Sequence, residues 1–426
     1  MKDSGTKRKP LILLIILTIL ALVLLAYIIS ALNKEDNNGQ VNPSPSPTGA
    51  PTATSTPELT PTREPTSEPT PEPTPETIKA TIVSAGDCVI HDKIRLAAKI
   101  DGEDSYDFTH MFEDIKPFVE KADYALISYE GAATNKRNDY SGYPIFNTPP
   151  EIFDAFRYAG FNLINNSNNH QLDRRVSGML ETRENIKKAG LEIIGAYDGE
   201  EPRYLIKDIN GIKVGFMAYA YGSNGNEAAL TSDQIYKHLA LFDKPRMEKE
   251  IKELEEKADV TVIAMHWGHE YWTTPNDQQI SMAKEMFEWG ADVILGSHPH
   301  VIQPSEIHTV NGETKYVVYS MGNFLTNMLH EWYDDPKKEK WLQEDGTLIS
   351  IEFTKDLTTE KTIISKIIHI PTWLSREKID GDTIHRILPI PSRDYYKEGD
   401  LSDELLKKAL ESYDRTIGNF TDYELE

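Results

Sequence analysis

From Ile78 onward the chain repeats one pattern: a short apolar run rich in β-branched residues, then a stretch with a single apolar helical face. The runs are Ala80–Ala85, Tyr124–Tyr129, Phe161–Ile164, Leu191–Ile194, Lys213–Tyr219, Val260–Met265, Asp292–Leu295 and Tyr316–Tyr319. Their length and composition predict strands. Between two of them, Pro149 is expected to open a helix with Thr148 as its N-cap. Ile152, Phe153 and Phe156 would share that helix's buried face, and Gly160 would end it. The same ending recurs at Gly190 and Gly290. Met247–Lys257 reads as a charged helix whose Glu248–Lys252 and Glu253–Lys257 pairs form a solvated face. Such alternation predicts a layered α/β domain. Further on, Gly346–Phe353 and Lys361–Ile370 read as paired strands, and Ser402 caps a helix with Leu405, Leu406, Ala409, Leu410 and Tyr413 on one side.

The first 77 residues cannot join such a domain. Leu11–Leu32 is uncharged and almost wholly Leu, Ile, Val and Ala, long enough to span a bilayer as a helix of about 20 residues. Lys2, Lys7, Arg8 and Lys9 precede it. Their charge is expected to hold residues 1–10 in the cytoplasm and send the rest outside, a single-pass anchor in the cell membrane. A cleaved signal peptide is the competing reading. Residues 33–77 follow, and Val41–Thr77 is a loose Pro/Thr/Ser/Glu repeat with no apolar face to bury, so a disordered linker is expected. Its polyproline-like extension would reach on the order of 110 Å, at about 3.1 Å per residue. It could be a stalk or an inert spacer.

The chain has 426 residues and a formal charge of −23. That charge argues against nucleic acid as a partner, because polyanion binding needs a basic face. Contact with any acidic polymer would need a metal or a local basic patch. Cys88 is the sole cysteine, so no intramolecular disulfide is possible. It stands three residues before His91, either as half of a nucleophilic Cys–His pair or as a small hydrophobe.

The ends of the apolar runs carry the chemistry. Asp87 closes IVSAGD, Glu130 closes ALISYE, His170 closes NNSNNH, His266 lies in AMHWGHE, and His298 and His300 lie in LGSHPH. Imidazole and carboxylate are the donor set of zinc, manganese or iron. In open α/β sheets, sites gather beyond the carboxyl ends of strands. Scattered structural histidines would have no reason to share that position. Asp87 would ligate a metal, or otherwise cap the following helix. His91 could join it or be a surface histidine. Glu130 could bridge two cations. Asn169 and His170 offer two neutral donors from one turn, with Asp173 as an acceptor that orients an imidazole. His266 is the stronger ligand of its segment. His269 and Glu270 are candidates for contacts behind the ligands or with substrate. His298 and His300, at i and i+2 of an extended segment, would point the same way. His170 or His266 could act as a general acid.

The order GD, Glu, NNH, HWG and SHPH, then SMGNF at Ser320–Phe324, resembles the CapA-type capsule-synthesis family associated with poly-γ-glutamate. That family is similar in turn to calcineurin-like metallophosphatases. The likeness covers roughly Ile78 to Ile370. It implies a metallophosphatase-like four-layer α/β/β/α sandwich over residues 78–375, with 376–426 as a C-terminal extension and packing helix. It also implies one or two divalent metal ions (Mn, Zn, Fe or Mg) on Asp87, Glu130, Asn169, His170, His266, His298 and His300. Asn323 matches the family's SxGNF-type motif as a structural or substrate-side residue. Two departures stand out: Cys88 and Val89 replace the phosphatases' usual D-x-H opening, and Glu130 stands where those enzymes generally use Asp. The implied function is that of a membrane-anchored extracellular capsule protein, a metal-dependent hydrolase. The alternative is a non-catalytic factor that binds or exports poly-γ-glutamate with other capsule-synthesis membrane proteins. A purely structural surface protein would leave the ligand motifs unexplained.

Overall fold

A computed structural model describes residues 76–199, 201–328, 342–379 and 381–425. The expected anchor at 11–32 and nearly all of the linker at 33–77 lie outside the described residues. Among the described residues no helix is long and apolar enough to cross a membrane.

Two sheets stack face to face. The first holds β1 (Thr77–Val89), β2 (Tyr124–Glu130), β3 (Leu163–Asn165) and β4 (Glu192–Ile194) as a parallel run. The second holds β5 (Leu205–Ile209), β6 (Ile212–Ala220), β7 (Val260–His266), β8 (Val293–Ser297), β9 (Ile302–Val310) and β10 (Glu313–Met321), in the order β5-β6-β7-β8-β10-β9. The chain then returns to the first sheet. β11 (Asn323–Leu325) pairs with β1. β12 (Asp345–Asp356), β13 (Thr362–Ile379) and β14 (Asp382–Pro389) extend that sheet antiparallel, and β15 (Tyr423–Glu424) pairs with β13.

Side-chain alternation along each strand builds the layers. In β1 Ile82 faces inward and Val83 outward; in β7 Val262 faces inward and Ile263 outward. Ala80, Ile82, Leu126 and Leu163 of the first sheet meet Val214, Phe216, Val262 and Tyr316 of the second. Val83, Ala85 and Ile127 pack outward against Phe112, Phe153, Phe156 and Ile186. On the far side, Met217, Ile263 and Met265 pack against Met247, Ile251 and Met286. Strands apolar on both faces must be covered on both, and the result is helix, sheet, sheet, helix. Each fully buried Leu, Ile or Phe contributes roughly 1.5–3 kcal/mol, so this double core secures the frame on which the strand ends sit.

All eight expected runs are strands, and Gly346–Phe353 pairs with Lys361–Ile370 as expected. Three local expectations are corrected. The helix after Pro149 spans Glu151–Tyr158 with Pro150 at its N-cap and no side-chain cap; Thr148 is instead drawn off by a backbone bond to Ala132. Asp87 is buried within β1 and caps nothing, and His91 occupies the N-cap of helix Asp92–Ala97. The boundary expected at 375/376 falls inside β13, which pairs with β12 as far as Trp373 and continues through that point on β14, from Thr372 to Ile379. The helix capped by Ser402 forms at Asp403–Thr416, packing Leu405 and Ala409 on Trp373 and Leu388.

Candidate metal centre

The carboxyl ends of β1, β2, β3, β7 and β8 converge where the two sheets meet. Asp87 and Glu130 come from the first sheet, Asn169 and His170 from the loop after β3, and His266, His298 and His300 from the second. All are buried, none more than 8% exposed. At the centre itself the His298 backbone N–H donates to Asp87 Oδ2 at 2.8 Å, linking the two sheets there. Gly86 makes this approach possible, since a Cβ there would lie 2.2 Å from the Gly322 carbonyl oxygen. With that space open, Asp87 N donates to Gly322 O at 2.9 Å, and β11 delivers Asn323 beside Asp87.

Ligand atoms cluster in two groups. Those of Asp87, Glu130 and His266 lie within 4.8 Å of one another, and so do those of Glu270, His298 and His300. His300 Nε2 is 3.8 Å from Glu130 Oε2, and its Nδ1 is 3.8 Å from Asp87 Oδ2. Asn169 Oδ1 stands 3.0 Å from His266 Nε2. The rings of His266 and His298 are 4.7 Å apart.

Several partners orient these ligands. Asn323 Oδ1 meets His300 Nδ1 at 3.0 Å, while its Nδ2 donates to the His300 and Gln343 carbonyls. With Nδ1–H so engaged, His300 Nε2 is the nitrogen left facing Glu130. Ser297 Oγ meets His266 Nδ1 at 3.1 Å. Asp173 Oδ2 meets His170 Nδ1 at 2.8 Å and also accepts the Phe146 N–H. His170 Nε2 then faces Glu130 Oε1 at 3.8 Å and Asn224 at 3.4 Å.

Burial dominates the electrostatics of the site. Burial raises the Glu130 pKa well above the usual carboxylate range, and the nearby Asp87 adds to it. Burial also raises Asp87, against the opposing pull of His300 and the His298 N–H. Burial and mutual repulsion hold His266 and His298 well below the ordinary imidazole value. Burial lowers His300 as well. Asp87 Oδ1, Glu130 Oε2 and His298 Nδ1 are buried without a hydrogen-bond partner. Buried polar atoms are nearly always satisfied, so three orphans aimed into one cluster fit one or two divalent cations.

The backbone carries strain at the same place. His298 has φ +95° and His300 φ +57°, in the left-handed region that side chains other than glycine rarely adopt. The SHPH segment is therefore a bend and not the extended run expected. The imidazoles converge because the chain folds back, at a cost that the surrounding contacts hold in place.

The remaining candidates divide. His91 packs edge-on against Phe146 with Nδ1 3.2 Å from Val89 O. Burial pushes its pKa to about 4, and it lies outside both ligand groups. His269 is exposed and packs on Trp272, while Glu270, also exposed, is the residue of that segment whose oxygen falls in a candidate ligand group. Cys88 is fully buried, and burial beside Asp87 and Glu130 drives its thiol pKa well up, which suits a small hydrophobe and not a nucleophile. Tyr221, whose ring lies 4.7 Å from that of His298, and Asn224 were not foreseen. They sit in YGSNGN, whose composition signals only a turn.

The fold and site thus define a two-sheet α/β protein with a buried imidazole–carboxylate centre. Residues 81–328, more than half of the chain, match the family described as "Bacterial capsule synthesis protein PGA_cap", and the chain belongs to that family. It is similar to the "PGA biosynthesis protein CapA" of Bacillus subtilis (strain 168), with 27% identity over 323 residues, 74% of this chain and 79% of that protein. It is also similar to the "Capsule biosynthesis protein CapA" of Bacillus anthracis, with 26% identity over 289 residues, 64% of this chain and 66% of that one. Among solved structures, a novel phosphatase of Mycoplasma pneumoniae aligns at 14% identity and TM-score 0.39, over 70% of this chain and 94% of the other. A calcineurin-like phosphoesterase of Bacillus subtilis aligns at 14% identity and TM-score 0.38, over 80% and 99%.

Proposed function

We propose that this chain is a membrane-anchored capsule-synthesis protein that faces the cell exterior and hydrolyses a bond of the capsule polymer, poly-γ-glutamate, or of its attachment. The observation that carries this reading is the set of buried, unpartnered ligand atoms at Asp87, Glu130 and His298. The hydrophobic segment 11–32 behind its basic flank supports the anchor, and the Pro/Thr-rich segment supports a stalk.

Asp87, Glu130 and His266, with Asn169 alongside, would hold one cation; His298, His300 and Glu270 would hold the other. The donor set suits zinc, manganese or iron, with magnesium less favoured by so many imidazoles. Bound cations supply positive charge that polarises the scissile group and makes a water molecule acidic at neutral pH. The remaining work falls to the protein. Asp173 fixes His170 with Nδ1 occupied and Nε2 toward the centre, placing His170 to protonate the leaving group. His170 keeps a side-chain exposure of 10%, through which solvent can restore the proton. His266 has Nδ1 taken by Ser297 and would offer Nε2, beside Asn169 Oδ1, to the cation, so the acid role falls to His170.

The test uses the full chain in detergent. Elemental analysis should find divalent metal, and incubation with poly-γ-glutamate should shorten or release polymer. His170→Gln should keep the metal and lose turnover. Polymer binding without turnover in the metal-loaded protein would replace this reading with that of a binding or export factor.

A further inference from the structure

A second polar hollow of about 630 Å³ lies between helix Asp92–Ala97 and the β13–β14 hairpin. Lys93, Lys99, Arg376 and Lys378 line it, with Asp101 and Asp382 as the only acids among its described lining residues. Arg376 is paired with Glu344 at 3.2 Å, so four cations stand against three acids, a small local excess of positive charge in a chain whose formal charge is −23.

His385 lines the same hollow and is 1% exposed. Neither ring nitrogen has a hydrogen-bond partner; a weak polar contact with the Thr383 backbone falls short of hydrogen-bond geometry. A buried imidazole left this way costs free energy, unless something entering the hollow completes it. Burial and the neighbouring Arg376, His110 and Lys93 push its pKa to about 4. At neutral pH it therefore offers one N–H donor from an uncharged ring. The hollow reaches toward the metal centre through His91: Asn327 lines the hollow, its backbone N–H lies 3.4 Å from His91 Nδ1, and His91 is near enough to His300 and His170 for their charges to act on it.

We propose that this hollow is a carboxylate-binding subsite that holds part of an acidic polymer beside the metal centre. The assignment of that polymer as substrate rests on the hydrolase reading; the binding does not. Cations spread around the lining match several spaced single charges better than one dense dianion. Asp101 and Asp382 add repulsion that a doubly charged phosphate would feel more than a carboxylate.

Fluorescence anisotropy of a short labelled poly-γ-glutamate on the full chain in detergent tests this, with chelator present so that bound metal contributes nothing. Wild type should bind in a salt-sensitive manner. K99Q/K378Q and, separately, H385F should weaken binding by about tenfold. The charge-matched K237Q/K249Q, on a different hollow, should stay within about twofold, as distant surface charges are screened. No binding by wild type, wild-type binding by both K99Q/K378Q and H385F, or equal loss in K237Q/K249Q would overturn the proposal. Competition by inorganic phosphate as strong as by unlabelled polymer would also overturn it, in favour of a phosphate site. Asp87→Asn separates the two readings: it should abolish hydrolysis and keep polymer binding. Retained hydrolysis in that variant would sink the assignment of hydrolysis to the metal centre and leave the hollow standing.

Discussion

Two buried carboxylate sites in this molecule are built in opposite ways. Asp345 is 1% exposed, and both its oxygens are occupied: Arg415 donates at 2.9 and 2.8 Å and Ser412 at 2.6 Å. It fastens helix Asp403–Thr416 to β12. Asp87 and Glu130 are equally buried, yet among the described residues each keeps an oxygen with no donor and neither is ion-paired with a Lys or Arg. A carboxylate that serves the fold is neutralised by the fold. One left open at a strand end, facing imidazoles, is neutralised from outside. This difference, more than burial or pKa alone, separates scaffold from centre.

The largest effect should come from Asp87→Asn. We expect metal content to fall to background by elemental analysis, while the chelated variant unfolds at the same denaturant midpoint as chelated wild type or at a higher one, since an uncompensated buried charge has been removed. A chelated variant much less stable than chelated wild type would erase the contrast with Asp345. Next is Arg415→Ala, which strands Asp345. Breaking a buried pair costs about 3–5 kcal/mol; the Arg415 side chain is 36% exposed, so about 2–3 kcal/mol in urea unfolding is expected, with metal content unchanged.

The third test is the pH dependence of metal binding. Glu130 has a raised pKa in the metal-free fold, so it still carries a proton at pH values where an ordinary glutamate has lost it. A cation must displace that proton. Affinity should therefore rise with pH, by up to about tenfold per unit per proton released, until the raised pKa is passed. His266, His298 and His300 have lowered pKa values and add no proton competition near neutrality. Asp87 is raised as well, so calorimetry in buffers of different ionisation enthalpy should count the protons that the two carboxyls release, and Glu130→Gln should lower that count. The smallest effect is expected at the solvated face: Lys252→Ala breaks the exposed Glu248 pair and should cost no more than about 0.5 kcal/mol.

Period and position made most of the frame legible. Alternating apolar runs identified the strands, and their polar last residues identified Asp87, Glu130, His170 and His266 as neighbours before any coordinate was known. What escaped depends on non-local contacts. The left-handed turns at His298 and His300 come from the crossing into β9, which no local propensity predicts. Glu270 and His269 are adjacent and both polar; only the turn at Tyr271, φ +67°, accompanies the choice between them. Asn224 and Tyr221 reach the centre from a loop whose letters say only that the chain turns. The 375/376 boundary lies within a strand for a related reason: β14 pairs with β13 across it, Ser375 with Arg386 and Arg376 with His385, a long-range pairing that local composition does not announce.

The bond from the His298 amide to Asp87 has a mechanical consequence. Asp87 and Glu130 hang from one sheet and His266, His298 and His300 from the other, so the cage is a gauge of how the two slabs sit. A volume change in the dry layer between them, at Phe216 or Tyr316, would let them slide and retune cation affinity from deep inside, with every coordinating side chain intact.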